Sequence, residues 1–300
     1  MNTVTKLLIT ASLVFYAGSS IAQSDTTDDV EELKIAALEA LIMAPPERAL
    51  PLVRKVLEGD NSDEMKESAL FILSQIDLPE AQTLLLETAR QSDGDLMEEA
   101  IRMIGIGGDP AAMAGLTELY NSGDEEVREA VLEAYLIADD ANAIYEIAAS
   151  TVSEEDFEDA VEMLAAMGAN EELRKLRESK GLSESLIEAY AISGDAESLR
   201  LLSMDDSNPE LQVQAIEAMG MIGGEEVNAT LVGIYTNSDS AEVREAAMDG
   251  LFMSGDDKGV LELYRSSQDA GEKKELLEYL VMMDSDAVWD VIDSALDGER

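Results

Sequence analysis

The five residues Glu126–Ala130, with the sequence Glu-Val-Arg-Glu-Ala, recur without change at Glu242–Ala246. Each copy opens a run in which small apolar residues fall at positions i, i+3, i+4 and i+7, a spacing that places one apolar stripe along one face of an α-helix. An acidic turn follows, at Asp139-Asp140 and at Gly255-Asp256, and a second apolar-periodic run comes after it. Because aspartate before a helix caps its free amide groups, each unit is predicted to be a helical hairpin.

The hairpin unit repeats with a period near 30 residues. Residues equivalent to Ala130 lie 30 or 31 positions apart, except for an interval of 55 between the fourth and fifth of them; they are Ala69, Ala100, Ala130, Ala160, Ala215, Ala246 and Leu276. A leading unit around Ala36 brings the number to about nine. A period of this length without strand-like alternation predicts an all-α fold, an α-solenoid. The long interval holds two units, one shortened, and is compatible with one continuous superhelix or with a two-part solenoid.

The first 22 residues have the features of a secretory signal peptide. Lys6 supplies a positive charge, residues 7–18 are mostly apolar, and Ser20-Ile21-Ala22 places small residues just before Gln23. The apolar run is shorter than the ~20 residues that span a bilayer, which favours a cleaved signal over a membrane anchor. We therefore expect cleavage after Ala22 and a periplasmic or secreted protein.

The rest of the chain is strongly acidic. The segment 23–28 is polar and is predicted to be disordered, and the solenoid is predicted over residues 29–300. The formal net charge of the chain is −45, and loss of Lys6 with the signal changes it to −46. This charge repels phosphate groups, so nucleic acid is not an expected partner. No later apolar run is long enough to span a bilayer, so membrane insertion is not expected.

The chain contains no cysteine and no histidine. Disulfides, thiol nucleophiles, cysteine–zinc sites and histidine bases are therefore excluded. Carboxylates in several loops are candidate calcium ligands, but their spacing differs from that of a twelve-residue calcium loop. The favoured interpretation is that they are helix caps and solvated turns, so no metal or cofactor is predicted. These loops are Asp60–Glu64, Asp93–Asp95, Asp124–Glu126 and Asp205-Asp206.

The repeat resembles the short bacterial HEAT-like repeats of the phycobilisome-lyase type. The resemblance covers roughly residues 29–298 and rests on Val-Arg-x-Ala helix openings, Gly-Asp turns and helix endings that run from leucine to tyrosine. The matching residues are Val127, Arg128 and Ala130; Val243, Arg244 and Ala246; Gly108-Asp109, Gly194-Asp195 and Gly255-Asp256; and Leu116–Tyr120, Leu231–Tyr235 and Leu261–Tyr264.

The resemblance is specific for the fold and implies little about activity. One enzyme group with such repeats holds two iron ions with His-Glu pairs, which this chain cannot supply. Another holds DNA in a basic groove, which its negative charge opposes. A lyase activity is compatible with the fold, but the export signal and the missing histidine and cysteine argue against it.

The resemblance also implies that the second helix of each hairpin lines the concave surface of the superhelix. Aromatic side chains recur on these helices, and such residues are typical anchors of protein interfaces. The leading hypothesis is thus a non-enzymatic scaffold that binds a protein or peptide partner, with a basic partner favoured by charge. The candidate binding residues are Tyr120, Tyr145, Tyr235, Tyr264 and Trp289, with the basic cluster Arg174–Lys180 as a second candidate.

Three alternatives stay open on the sequence alone. In the first, the aromatic rings serve only to cap the ends of the hydrophobic core. In the second, the protein is a passive structural or envelope-associated spacer, and in the third it is an enzyme that uses carboxylates, tyrosine, serine or lysine. The sequence does not decide the oligomeric state. The helical register also predicts that aspartate at Ala130 or Ala246 destabilises the fold strongly, whereas loss of Arg128, which points away from the stripe, has little effect.

Overall fold

The structure, a computed structural model, describes residues 26–296. The predicted signal peptide lies outside these residues, as does the start of the segment predicted to be disordered. Residues 26–28 of that segment belong to the first helix, which begins at Thr26 rather than at residue 29. The difference arises because the apolar periodicity starts only at Val30, whereas the first turn of a helix need not be apolar.

Eighteen α-helices form nine consecutive hairpins in the described part of the chain, which has no strand. The first five pairs are α1 (Thr26–Glu39) and α2 (Pro46–Leu57), α3 (Asp63–Ser74) and α4 (Pro79–Gln91), α5 (Gly94–Gly107) and α6 (Pro110–Ser122), α7 (Glu125–Ile137) and α8 (Ala141–Ser150), and α9 (Glu154–Ala166) and α10 (Asn170–Lys180). The other four are α11 (Glu184–Ser193) and α12 (Ala196–Ser203), α13 (Pro209–Ile222) and α14 (Glu225–Asn237), α15 (Ala241–Met253) and α16 (Asp257–Ser266), and α17 (Ala270–Met282) and α18 (Asp286–Leu296). The predicted all-α solenoid of about nine hairpins is confirmed.

The helices are arranged in two layers. Odd-numbered helices pack on odd-numbered neighbours from α1 to α15, and even-numbered helices form the second layer. Small residues let the odd-numbered helices approach closely, so that a Cβ atom added at Gly105 of α5 would lie 2.6 Å from the carbonyl oxygen of Ala134 in α7. The hydrophobic core is continuous along the solenoid, because each hairpin buries its apolar stripe against its neighbours.

The register predicted from the repeat is confirmed by burial. The seven anchors from Ala69 to Leu276 are all buried, with at most 8 % of their surface exposed. The leading unit is the exception, because Ala36 is exposed and Leu38 takes the buried position. Leu38 lies 31 residues before Ala69, so the period holds for the first hairpin although the sequence pattern around Ala36 misplaced it.

The turns within the hairpins use the glycine–aspartate pairs identified in the sequence. Gly194 and Gly255 adopt φ values of 74° and 70°, in the left-handed region that favours glycine. Asp195 then caps α12 by accepting a hydrogen bond from the amide of Ser198. Asp256, at the equivalent position before α16, makes no such side-chain hydrogen bond. These turns reverse the chain within two or three residues, which keeps the two helices of a hairpin in contact.

The shortened unit does not interrupt the stack. Helix α11 packs against both α9 and α13, and an ion pair between Arg174 Nη2 of α10 and Asp195 Oδ1, 2.7 Å apart, ties the short hairpin to its predecessor. Burial disfavours ionisation of Asp195, but hydrogen bonds from Arg174 and Ser198 outweigh it and hold the pKa of this carboxyl below its usual value. The described helices therefore continue through this unit as one stack.

Candidate partner-binding groove

The five aromatic residues singled out in the sequence lie on even-numbered helices but do not form one exposed row. Tyr120 is buried, and its hydroxyl has no hydrogen-bond partner within the described residues. Burial raises its pKa to about 12, with a further contribution from Asp156. Tyr120 therefore offers a partner almost no surface, and its ring closes the end of the core where α6 meets the next hairpin.

The other four rings vary in exposure. Tyr145 and Tyr264 are half-buried against the core, and lysine ammonium groups approach their ring centres, Lys175 at 6.0 Å and Lys273 at 5.1 Å. Trp289 of α18 is 61 % exposed. Tyr235 of α14 is half-buried and lines a groove. The positions of Tyr120, Tyr145 and Tyr264 fit the alternative in which rings cap the ends of the core, whereas Tyr235 and Trp289 retain access to a partner.

Tyr235 lies at the edge of a large groove. It runs between α15 and α17, has a volume of about 820 Å³, and opens where α17 separates from the tightly packed odd-numbered layer. Its apolar lining comes from Tyr235, Met248, Leu276, Tyr279 and Met282. Its charged lining consists of five acidic residues and one arginine, namely Glu245, Asp269, Glu272, Glu275, Glu278 and Arg244.

One hydrogen bond and one aromatic contact hold Tyr279 in the floor of the groove. The hydroxyl of Tyr279 donates to Asp249 Oδ1 at 3.3 Å, and its ring meets Phe252 edge to face with centroids 6.1 Å apart. Burial raises the pKa of Tyr279, and Asp249 adds to the effect. Burial also raises the pKa of Tyr235 to about 12, followed in size by the charge of Glu272. Both phenols are thus neutral donors at physiological pH, and the negative charge of the groove resides on its carboxylates.

The two identical copies of the opening motif form different junctions. In the first, Arg128 Nε of α7 contacts Asp156 Oδ1 of α9 at 3.0 Å, and the same side chain donates to the carbonyl of Gly123 at 3.1 Å. Arg128 thus points away from its own stripe but reaches the next hairpin, and the small effect expected from its loss stays a prediction. The helical period describes how a residue faces its own hairpin, but Asp156 comes from the next hairpin, 28 residues further along.

In the second copy, the described residues contain no corresponding contact between the arginine and a carboxylate of the next odd-numbered helix. Arg244 lines the groove, and within residues 26–296 it has no carboxylate oxygen within 4.0 Å. Glu272, which occupies the place of Asp156, instead accepts a hydrogen bond from Ser267. The junction between α15 and α17 consequently remains open where the junction between α7 and α9 is clamped.

The basic cluster on α10, the second candidate, is largely engaged within the protein. Arg174 pairs with Asp195, Lys175 lies 3.0 Å from Glu171, and the ammonium of Lys180 donates to the carbonyl of Thr151 at 2.8 Å. These contacts link neighbouring turns and hairpins. Carboxylates thus neutralise Arg174 and Lys175, whereas Lys180 is held by a neutral carbonyl and keeps its charge.

Within residues 26–296, no group of three or more acidic side chains has an arrangement suited to a metal ion. No helix in that range has the length and apolar character needed to cross a membrane.

The sequence patterns did not single out Tyr279 of the groove or its neighbour Phe252, which lies outside the groove lining. Both belong to odd-numbered helices, whereas the recurring aromatic residues lie on even-numbered ones. A usable signal was present, because Met221, Phe252 and Met282 recur 31 and 30 residues apart at the ends of successive odd-numbered helices. These residues lie outside the buried stripe yet follow its period, which marks them as a repeated surface feature.

Comparison with known proteins gives a family match for part of the chain. Residues 50–136 match the model of HEAT repeats, whereas the curated protein sequences give no match. The solved structures include human deoxyhypusine hydroxylase in complex with glycerol, which is 18 % identical, with 76 % of this chain and 98 % of that chain covered and a TM-score of 0.32. They also include the complex of CpcE and CpcF of phycocyanin lyase from Nostoc sp. PCC7120, at 17 % identity, 80 % and 94 % coverage and a TM-score of 0.33.

Similarities of this size to solved structures carry no information about activity. The family match is more informative, because it covers the hairpins α3 to α6 together with α7, and the same two-layer packing continues on both sides of them. The chain is a HEAT-like repeat protein.

Proposed function

We propose that this HEAT-like repeat protein is an exported, non-enzymatic scaffold that binds a protein or peptide partner carrying basic residues. The groove between α15 and α17 is the observation that carries the proposal, because it joins a negative charge to an aromatic and methionine floor. Tyr235 remains an anchor of the site. The centre of the site, however, lies in the opening between two odd-numbered helices and not on the even-numbered layer.

The chemistry of the groove suits a lysine or arginine side chain. Five carboxylates against one arginine attract a cation, and the rings of Tyr235 and Tyr279 offer faces that a cation favours. The alkyl stem of such a side chain can pack on Met248 and Met282 while its charged end stays near the carboxylates. Methionine adapts to irregular shapes, so the floor can accommodate more than one sequence.

The surrounding charge supports the same partner. A net charge near −46 for the exported chain speeds the encounter with a basic partner and makes the association rate depend on salt. The absence of histidine and cysteine from the sequence removes the commonest catalytic bases and nucleophiles, which favours binding over catalysis. A passive spacer is the main alternative, and it predicts that charge and aromatic residues in the groove can be changed without consequence.

Export is part of the proposal and rests on residues 1–22. The exported protein is expected to begin at Gln23, because Ser20-Ile21-Ala22 follows an apolar run of signal-peptide length. N-terminal sequencing of the protein recovered outside the cytoplasm measures this directly. Exported material that still begins at Met1 would contradict cleavage.

Reversing the charge of both groove walls is expected to weaken the capture of a basic peptide at least tenfold. Glu245 of α15 and Glu275 of α17 are exposed and line opposite sides of the groove, so the double variant Glu245→Lys/Glu275→Lys replaces attraction with repulsion. The measurement is the fluorescence anisotropy of a labelled, unstructured arginine- and lysine-rich peptide, recorded at several salt concentrations.

The matched control is Glu64→Lys/Glu67→Lys on α3, which changes the net charge by the same amount at exposed positions of a distant hairpin. A local site predicts only a small loss of affinity for this control. Equal losses in the two double variants would mean that the peptide responds to the overall field and not to the groove, and the proposed site would be wrong.

A further inference from the structure

The odd-numbered layer exposes large apolar side chains near the C-terminal ends of its helices. In the second half of the solenoid they form what we call the apolar row, consisting of Ile192 of α11, Met221 of α13, Phe252 of α15 and Met282 of α17. Their exposed fractions are 59 %, 64 %, 42 % and 60 %. Large apolar residues exposed at the same end of four successive helices form a repeated feature, and contiguous patches of this kind mark interaction sites.

A hollow lies under the middle of the apolar row. It is formed by α11, α13 and α15, has a volume of about 440 Å³, and is separate from the groove between α15 and α17. Ile187, Ala218, Met221, Phe252 and Met253 give it an apolar floor. Such a concave, apolar recess with polar edges is suited to receive a large apolar side chain.

We propose that the apolar row and its hollow dock an amphipathic α-helix of a partner protein, one whose apolar face is flanked by lysine and arginine. Packed helices are spaced about 8–10 Å apart, so from α11 to α15 the row presents an apolar side chain at each such step. A partner helix rises 1.5 Å per residue, and it matches this step with an apolar residue at about every fifth to seventh position. Crossing from α11 to α15 then requires roughly 11–13 residues, and a helix of about 20 residues also reaches α17 across the wider junction.

The acidic side chains beside the apolar row favour a partner helix with basic residues. The titratable groups that line the hollow are all acidic, and they come from three helices: Glu184 and Glu188 of α11, Glu217 of α13 and Asp249 of α15. Further along the same layer, burial raises the pKa of Asp159 in α9, and the neighbouring carboxylates, Glu155 first among them, raise it further. An apolar face bordered by lysine or arginine is therefore complementary to this surface.

A second copy of this chain fits the surface poorly. Two chains that each carry a net charge near −46 repel one another, and association through the row would place acidic side chains of both copies side by side. Like charges brought together at an interface oppose association.

The apolar row is a binding surface in addition to the proposed groove, and it is tested with residues that do not line the groove.

The test uses three labelled 20-residue peptides and the purified full chain. The first peptide has leucine on one helical face and lysine on its flanks, the second keeps the leucines but carries glutamate on the flanks, and the third is a scrambled version of the first. The row variant is Met221→Ser/Met253→Ser, whose two residues line the hollow and not the groove. The control is Leu201→Ser/Met204→Ser, which removes equally exposed apolar residues at α12, in the other layer.

The lysine-flanked peptide is expected to gain helicity when it binds the unmodified protein. Its affinity for the row variant is expected to be at least tenfold lower, whereas its affinity for the control variant stays within twofold of that for the unmodified protein. Circular dichroism of each variant establishes that folding is intact. The proposal is overturned if the row variant binds equally well, or if the scrambled or glutamate-flanked peptide binds as tightly. Sedimentation that reveals a stable dimer dissolved by the row variant would assign the surface to a second copy and would also overturn it. Because the groove variants change other residues, failure of one site is distinguishable from failure of the other.

Discussion

Replacement of Ala246 by aspartate is expected to lower the free energy of unfolding by about 3–5 kcal/mol, the usual effect of an uncompensated buried charge. Ala246 is 3 % exposed and lies on the stripe of α15 one turn before Gly250, which packs against α13 and α14. A carboxylate at this position loses its hydration and finds no cation inside the stripe. Since domains of ordinary stability have only ~5–15 kcal/mol in total, the hairpins around α15 are expected to open.

The matched control for this substitution is Ala241→Asp in the same helix. Ala241 is the first residue of α15 and is exposed, and a negative charge near a helix N-terminus is neutral or slightly stabilising. Urea denaturation gives the two free energies, and amide hydrogen exchange shows whether the loss of protection is centred on α13 to α16. Similar unfolding free energies for both variants would mean that the assigned register of α15 is wrong.

The hairpins and their register were predictable because both depend on residues close together in sequence. The stripe from Val127 to Ala134 needs only the period of one helix, and the turn at Gly194-Asp195 needs only the conformational freedom of glycine and the capping ability of aspartate. The recurrence of each pattern about 30 residues later then fixed the architecture, because a hairpin with one apolar face is stable only when it is stacked on copies of itself.

The groove could not be predicted in the same way, because it depends on how one hairpin meets the next. Arg128 and Arg244 occupy the same place in identical pentapeptides, yet only Arg128 meets a carboxylate of the following odd-numbered helix. The outcome is decided by the residue some 28 positions later, where Asp156 reaches the arginine while Glu272 bonds to Ser267. Tyr120 and Tyr235 occupy similar places in the sequence repeat, but Tyr235 lines the groove between α15 and α17, whereas Tyr120 lies beside the paired Arg128 and Asp156.

Burial of the aromatic residues was equally hard to predict. A tyrosine at the end of an even-numbered helix can point to solvent or across to the next hairpin, and the helical period allows both. In Tyr120 the ring turns inward and leaves 7 % of the residue exposed. The exposed apolar residues Met221 and Phe252 were overlooked for the converse reason, since an apolar residue outside a stripe attracts notice only when its repetition is followed from unit to unit.

Replacement of Gly220 by alanine is expected to destabilise the protein by about 3 kcal/mol, at the upper end of the range for overpacking. A Cβ atom at this position would lie 2.5 Å from the Cα of Gly250 and 2.8 Å from its carbonyl oxygen. Both contacts are with backbone atoms, which cannot rotate away as a side chain can. Helices α13 and α15 would have to move apart, and the apolar contacts along their whole crossing would weaken together.

The same substitution at Gly233 of α14 is expected to have the opposite sign. Gly233 also lies inside a helix, but a Cβ atom there would meet no atom within 4 Å, so alanine gains up to about 1 kcal/mol of helix propensity without a clash. Thermal and urea denaturation should therefore separate Gly220→Ala from Gly233→Ala by about 4 kcal/mol, although the chemical change is identical. If both variants gained stability, the backbones of α13 and α15 would not be in contact at Gly220.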